Sequence, residues 1–221
     1  MGIRKPGQGS PKYSLGEEIT NSISHGIGAA LSIAGLCVLL ALAGKHGDPW
    51  RIVSFSIYGA SLIALYISST LYHSLPMPRL KQFFRRLDHA AIFLLIAGTY
   101  TPFVLVLLRG GWGWTLFGVI WALAAFGIAL KVAFTGRFEA LSLILYLGMG
   151  WIGLMAIKPV IAVLPLAGLI WLAAGGLIYT FGVIFYVCER IPWNHAIWHF
   201  FVMAASVCHF IAILFFVLPQ R

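Results

Sequence analysis

Seven long runs of apolar residues divide the chain, and glycine, proline or charged residues separate each run from the next. A helix needs about 20 apolar residues to cross the hydrocarbon core of a bilayer. The runs that reach this length cover residues 22–43, 52–74, 88–108, 112–131, 139–157, 164–187 and 195–218. The pattern therefore predicts an all-α fold, a bundle of seven transmembrane helices.

The segment before the first run differs from the rest of the chain because it is polar and basic. It contains Pro6 and Pro11 and lacks the apolar stretch of a cleavable signal peptide. We therefore expect a short polar, flexible tail at residues 1–15. The spans follow one another with short connections, so residues 16–221 are expected to form a single membrane domain.

The composition supports a membrane protein and excludes a nucleic-acid-binding one. Hydrophobic residues make up 61% of the chain and charged residues only 10%, whereas a soluble domain carries roughly 25% charged residues. The net charge is +9, but the lysines and arginines lie at the ends of apolar runs, as in membrane proteins. We therefore expect membrane lipids as partners, and no nucleic acid.

The cysteines give no sign of a disulfide framework or of a metal-binding pair. Cys37, Cys188 and Cys208 lie within or at the ends of apolar runs, far apart in the sequence. Small buried residues are the simplest interpretation of all three.

The distribution of lysine and arginine between alternate connections predicts how the bundle is oriented. On the side of the N-terminal tail there are ten: Arg4, Lys5, Lys12, Arg79, Lys81, Arg85, Arg86, Lys131, Arg137 and Arg190. On the other side there are five: Lys45, Arg51, Arg109, Lys158 and Arg221. The positive-inside rule therefore places the N-terminus in the cytoplasm and the C-terminus outside.

Most of the ionisable residues inside the predicted spans fall at one depth. His25 lies near the start of the first span, His73 at the end of the second and Asp88 at the start of the third. His195 and His199 open the seventh. Because successive spans run in opposite directions, all five residues belong at the predicted cytoplasmic end. Ionisable groups in a membrane are costly and mark functional sites, so one shared site is expected there.

The spacing of these residues favours a metal site. His195 and His199 are four residues apart, which places two imidazoles on one helix face about 6 Å from each other. Ser69 and His73 have the same spacing, so the Ser69 hydroxyl can orient His73 or a bound water. Three imidazoles and a water form the open tetrahedral arrangement of a catalytic zinc, and Asp88 can accept the proton of that water.

Other interpretations of the same residues remain open at this point. A pair of histidines four residues apart also occurs as a hydrogen-bonded pair at a membrane interface. No glutamate stands between His195 and His199, so the zinc-protease motif with an internal general base is absent. His25 is expected to form a hydrogen bond rather than to bind metal. His209 lies about 15 Å along the helix from His199, which suits a polar contact between helices.

Taken together and in order, these pieces resemble the hemolysin III family, the bacterial branch of the progestin and adipoQ receptor (adiponectin receptor-like) superfamily. The matching elements are Glu18 with Asn21, Ser24 with His25, Ser69 with His73, Leu87 with Asp88 and His89, His195 with His199, and Cys208 with His209. They span nearly the whole chain, and their combination is far more specific than any one of them.

The resemblance implies a fold, a cofactor and an activity. It implies seven spans in the inner membrane of a bacterium, with the N-terminus inside. It also implies zinc held by His73, His195 and His199, with Asp88 contacting the zinc-bound water. It also implies hydrolysis of a lipid amide, as in ceramidase-like members. We therefore expect cleavage of an amide or ester bond in a membrane lipid, with Ser69 and Asp88 as the catalytic residues. The short tail differs from that of the eukaryotic receptors, so no soluble hormone is expected as a partner.

Two other functions stay open from the sequence. One is a non-catalytic sensor or regulator of the membrane, in which zinc ties the second and seventh spans together. The other is a cytolytic protein, as the family name suggests. Apart from the site at one end and His209, no ionisable residue lies deep in a predicted span to line an ion path.

Overall fold

The computed structural model describes residues 13–46, 48–134 and 136–218. Most of the predicted tail and Arg221 lie outside these residues. Seven segments in the described part are helical, long and apolar enough to cross a membrane, and no strand occurs there. The prediction of an all-α bundle of seven spans is confirmed, and the chain is a multi-pass membrane protein.

Eight α-helices build the seven spans. They are α1 (Leu15–His46), α2 (Pro49–Ser74), α3 (Pro78–Pro102), α4 (Gly111–Ala133), α5 (Glu139–Trp151), α6 (Ile157–Val163), α7 (Leu166–Val187) and α8 (Asn194–Ala212). One π-helical turn, Phe103–Leu107, extends α3, and a second, Ile213–Val217, extends α8. A 3₁₀ turn, Ile152–Ala156, joins α5 to α6, and together they form the fifth span.

Two helices begin earlier than their apolar runs predict. The run that predicts α1 starts at residue 22, but the helix starts at Leu15, after a capping box in which Ser14 and Glu17 bind each other's backbone N–H groups. The third run starts at residue 88, but α3 starts at Pro78, a residue suited to a first helical turn. Polar turns therefore extend both helices beyond the apolar runs.

The fifth span ends later than predicted. Lys158 and Pro159 interrupt the apolar run, which predicts that the span ends at residue 157. In the structure the helix continues to Val163. Because α6 begins at Ile157, Pro159 lies in its first turn, where the missing N–H has no intrahelical partner to lose.

The spans are buried to different extents within the bundle. The third span is the most enclosed: 67% of the residues in its most apolar stretch are buried, against 17% in each of the fifth and sixth spans. The main packing partners of α2 are α1 and α3, and α7 packs chiefly on α8. The second and third spans therefore form the centre of the bundle, and the other spans have exposed apolar faces that can contact lipid.

The end of the bundle opposite the histidines is tied together by Arg51. Its Nε donates to the carbonyl oxygens of Val217 and Leu218 at 3.3 and 3.1 Å, and its guanidinium pairs with Asp48, the N-cap of α2. These contacts join the start of the second span to the end of the seventh, which helps to hold α2 and α8 side by side.

Candidate metal centre

Three histidines on two helices turn their imidazoles toward one point. His73 lies in the last turn of α2, and His195 and His199 lie in the first two turns of α8. His195 Nε2 is 3.3 Å from His73 Nε2 and 3.2 Å from His199 Nε2. All three residues are buried, and their ligand atoms lie within 4.8 Å of one another. These three histidines can hold a metal ion.

The spacing of the nitrogens fits a tetrahedral metal site. Zinc binds imidazole nitrogen at about 2.0–2.1 Å, and in a tetrahedron of that size neighbouring nitrogens are about 3.3 Å apart. The two Nε2–Nε2 distances from His195, 3.3 Å to His73 and 3.2 Å to His199, are close to that edge. Within the described ranges, no fourth histidine, cysteine or acidic residue joins this group. The donor set is therefore that of an open three-histidine site.

A carboxylate holds His73 in the orientation that a metal ligand needs. His73 Nδ1 lies 2.6 Å from Glu18 Oε2, and the other carboxylate oxygen accepts a hydrogen bond from Lys81 Nζ at 2.8 Å. With Nδ1–H donating to Glu18, the lone pair of Nε2 faces the other two histidines. A carboxylate behind a ligating histidine is the usual support of a metal site.

Glu18 and Lys81 belong to the site although neither was predicted from the sequence to have a role there. Both lie in the polar turns that extend α1 and α3 beyond the apolar runs. A signal for Glu18 exists in the sequence, because Glu18, Asn21 and His25 are three and four residues apart and so share one face of α1.

His199 is held by two residues of α1. Its Nδ1 lies 3.4 Å from Ser24 Oγ, and its ring stacks on that of His25 at 3.6 Å between centroids, with 8° between the planes. The hydrogen bond expected for His25 is not made, since neither of its ring nitrogens has a hydrogen-bond partner in the described part of the chain. His25 contributes ring contacts instead, with His199 and with the edge of Tyr66.

Tyr13 covers the site from the N-terminal side, a contact that the sequence analysis did not predict. Its ring stacks on His195 at 4.8 Å and lies 5.7 Å from that of His73. Only 8% of the residue is exposed. Burial raises the pKa of the Tyr13 hydroxyl far above its ordinary value, so the group over the histidines is neutral at physiological pH.

The two residues predicted to be catalytic lie together next to the histidines. Asp88, in α3, is buried and lines the same cavity as His195 and His199. Ser69, one turn before His73, is fully buried. Its hydroxyl is turned toward the Asp88 carboxyl without making a hydrogen bond of normal geometry. The site therefore contains the side chain of Asp88, with a serine hydroxyl turned toward it, beside the three imidazoles.

An elongated cavity of about 370 Å³ leads from the histidines through the bundle. It begins at Asp88, His195 and His199 and extends to Leu108 and Leu164, near the opposite end. Residues from α3, α5, α7 and α8 form most of its wall, and most of them are apolar. Its volume is within the range of small-molecule sites, and its shape and lining suit a ligand with a hydrocarbon chain.

Comparison with known proteins identifies the family of the chain. Residues 13–210 match the family described as Haemolysin-III related. Hemolysin-3 of Bacillus cereus is 50% identical over 203 residues, which cover 92% of this chain and 93% of that protein. The Hemolysin-3 homolog of Bacillus subtilis (strain 168) is 47% identical over 204 residues, with 92% and 96% coverage.

A more distant similarity extends to animals. The human Monocyte to macrophage differentiation factor is 31% identical over 222 aligned residues, which cover 96% of this chain and 90% of that protein. No solved structure matches the chain significantly. Because the family match covers nearly every described residue and the bacterial relatives align over almost their whole length, this chain belongs to the haemolysin-III related family.

Proposed function

We propose that this protein is a zinc-dependent hydrolase of the membrane that cleaves an amide or ester bond in a lipid. The observation that carries the proposal is the opening of a three-histidine centre into an apolar cavity beside a buried carboxylate. Catalytic zinc sites have three protein ligands and keep one position for water or substrate, whereas structural sites are closed by four.

His73, His195 and His199 would hold the zinc through their Nε2 atoms. When bound, zinc supplies Lewis-acid activation of a water molecule and of the carbonyl group under attack. Glu18 keeps the Nδ1 proton of His73 in place, so the Nε2 lone pair stays available.

Asp88 acts as the general base of the reaction. It is buried at the wall shared by the cavity and the histidines, where it can accept a proton from the attacking water and return it to the leaving amine or alcohol. The Ser69 hydroxyl, turned toward Asp88 and otherwise unpaired, positions the carboxylate or the water. The cavity excludes bulk water and receives the hydrocarbon part of the substrate.

The site is placed at the cytoplasmic face of the membrane in this proposal. The connections on its side carry ten lysines and arginines, against five on the other side. Arg79, Arg85 and Arg86, at the start of α3, would attract lipids with anionic headgroups to the same face.

A second candidate function, lysis of cells, is favoured by the names of the two Bacillus relatives, Hemolysin-3 and Hemolysin-3 homolog. Release of a fluorescent dye from lipid vesicles by the purified protein separates the two functions. A lytic protein releases dye even when its three histidines are replaced by alanine, whereas a hydrolase loses its activity with them.

The test of the hydrolase is the substitution Asp88→Asn. Asparagine can still form a hydrogen bond to the water but cannot take its proton, so turnover should fall by about 10²–10⁴-fold while bound zinc is kept. The assay follows cleavage of a panel of ceramides, fatty acyl amides and phospholipids in vesicles, together with zinc content and thermal stability. A zinc-loaded protein that cleaves none of these lipids contradicts the proposal and favours a sensor with structural zinc.

Asp48→Asn is a matched control. It makes the same chemical change at the far end of the bundle, at the N-cap of α2, where asparagine is also a good capping residue. It also weakens the ion pair between Asp48 and Arg51, so thermal stability is measured alongside, and turnover per folded protein should equal that of the unaltered protein. A fully active Asp88→Asn variant would remove Asp88 from the mechanism and leave the metal centre standing.

A further inference from the structure

A small group of polar side chains lies beside the cavity, far from the metal centre. Tyr179 of α7 and His209 of α8 both line the cavity, and Ser206 lies next to Tyr179. His209 is ten residues beyond His199, about 15 Å along the helix. It is also eight residues before Val217, where the seventh span ends, about 12 Å away. These polar groups are therefore inside the hydrocarbon region, where they are costly and mark function.

In His209, the Nδ1 nitrogen is available as a hydrogen-bond acceptor. Its Nε2 lies 3.3 Å from the carbonyl oxygen of Leu172, a group that can only accept, so Nε2 carries the proton. In a neutral imidazole the other nitrogen is then an acceptor. His209 is partly buried and lines the cavity.

Tyr179 supplies the complementary donor. Tyr66 donates its hydroxyl proton to Ser206 Oγ at 2.9 Å, and Tyr179 Oη lies 2.8 Å from the same serine oxygen. When the single proton of Ser206 is donated to Tyr179, the proton of Tyr179 is free to donate elsewhere. The ring centroids of Tyr179 and His209 are 5.7 Å apart, and both residues line the cavity, so the two polar side chains are neighbours in its wall.

The backbone of α7 makes room for this arrangement at Gly175. A Cβ added to Gly175 would lie 2.3 Å from both Cδ2 and Nε2 of His209, closer than atoms can approach. The imidazole therefore rests directly against the backbone of α7. Glycine lowers the stability of a helix interior, and its position here accommodates His209.

A polar tie between α7 and α8 would explain part of this group. It accounts for the contact of His209 Nε2 with Leu172 and for the bond between Tyr179 and Ser206. It does not explain why a tyrosine and a histidine both line a cavity whose wall is otherwise mostly apolar, with Nδ1 of His209 as an acceptor that this tie does not use.

We propose that Tyr179 and His209 form a subsite that binds a hydroxyl group within the hydrocarbon chain of the lipid, about 15 Å from the metal centre. A hydroxyl accepts one hydrogen bond and donates another, so it satisfies both residues at once. An unsubstituted chain would leave both polar groups unpaired against hydrocarbon, which lowers its affinity. This inference rests on the proposed function only in taking a lipid as the ligand.

The test measures binding rather than turnover, with fatty acids that the protein cannot cleave. Stearic acid is compared with hydroxystearic acids whose hydroxyl lies near the carboxyl group, in mid-chain or at the far end, by titration into the purified protein in detergent. We expect the mid-chain isomer to bind about 10-fold more tightly than stearic acid, the gain from one well-paired hydroxyl. The other two isomers should show little of this gain.

In Tyr179→Phe, the ratio of the affinity for the mid-chain isomer to the affinity for stearic acid should fall to about one. Stearic acid itself should bind as before. Tyr100→Phe is the matched control, because Tyr100 also lines the cavity but its hydroxyl is already paired with Gly150 O and Gly153 N at 2.9 and 3.0 Å. The control should keep the preference of the unaltered protein.

Two results would overturn the subsite: equal binding of all the fatty acids, or a mid-chain preference that survives Tyr179→Phe. Both are independent of hydrolysis. A protein that cleaves no lipid can still select the mid-chain hydroxyl, and an active hydrolase can lack this selectivity, so failure of one proposal is distinguishable from failure of the other.

Discussion

Replacing Glu18 by glutamine removes the support of His73 without touching a metal ligand. In the unaltered protein one carboxylate oxygen of Glu18 accepts from His73 Nδ1 and the other from Lys81 Nζ, at 2.6 and 2.8 Å. Glutamine has one accepting end and one donating end. Because His73 and Lys81 are both donors, the amide can serve only one of them and must place its NH₂ group against the other.

The size of the effect follows from this mismatch. Loss of the partner behind a ligating histidine typically lowers metal affinity by about 10–100-fold, which is about 1.4–2.7 kcal/mol. A hydrogen bond to a charged group contributes about 1.5–3 kcal/mol, so the two magnitudes agree. The side chain of His73 is fully shielded from solvent, so water does not replace the lost contact.

The assay is competition for zinc between the purified protein and chelators of graded affinity, with the retained metal measured by mass spectrometry. Glu17→Gln is the control, since it makes the same change of charge one residue earlier. Glu17 accepts from the backbone N–H of Ser14 at 2.9 Å, where a glutamine oxygen serves as well. Its zinc affinity should stay within about twofold. Unchanged affinity in Glu18→Gln, or equal losses in both variants, would refute the reasoning.

Two further predictions concern the bundle. Gly127→Ala should lower the free energy of unfolding by about 1–3 kcal/mol, because its Cβ would lie 2.3 Å from the buried ring of Phe93. The control is Gly118→Ala on the same helix, whose Cβ meets nothing within 4 Å and should not destabilise the protein. Thermal unfolding in detergent compares the two variants, and equal stability would contradict the packing. A reporter fused after Arg221 should read as outside the cytoplasm, and a cytoplasmic signal would invert the proposed orientation.

The features that depend on the pattern of residues within a single helix could be predicted from the sequence. Run length gave the seven spans, since a membrane helix has to be apolar over about 20 residues. The alternation of direction placed His73, Asp88 and His195 at one end. The four-residue spacing of His195 and His199 placed both imidazoles on one face, and they do lie 3.2 Å apart at Nε2.

The contacts between helices could not be predicted in the same way. Glu18 and Lys81 lie in helical turns that are polar and therefore outside the apolar runs. Whether Glu18 reaches His73 depends on how α1 crosses α2, which no pattern within one helix specifies. The position of Tyr13 over His195 likewise depends on how the chain enters α1, and the hydrogen bond expected for His25 was replaced by stacking on His199.

The metal content of the purified protein tests the central claim most directly. Elemental analysis should find one zinc ion per chain in the unaltered protein, held by His73, His195 and His199. The Nε2 atom of His195 lies close to one tetrahedral edge from the Nε2 atoms of the other two. The double variant His195→Ala, His199→Ala, checked for folding by circular dichroism, should contain almost none. Equal zinc in the two proteins, or none in either, would contradict the metal centre.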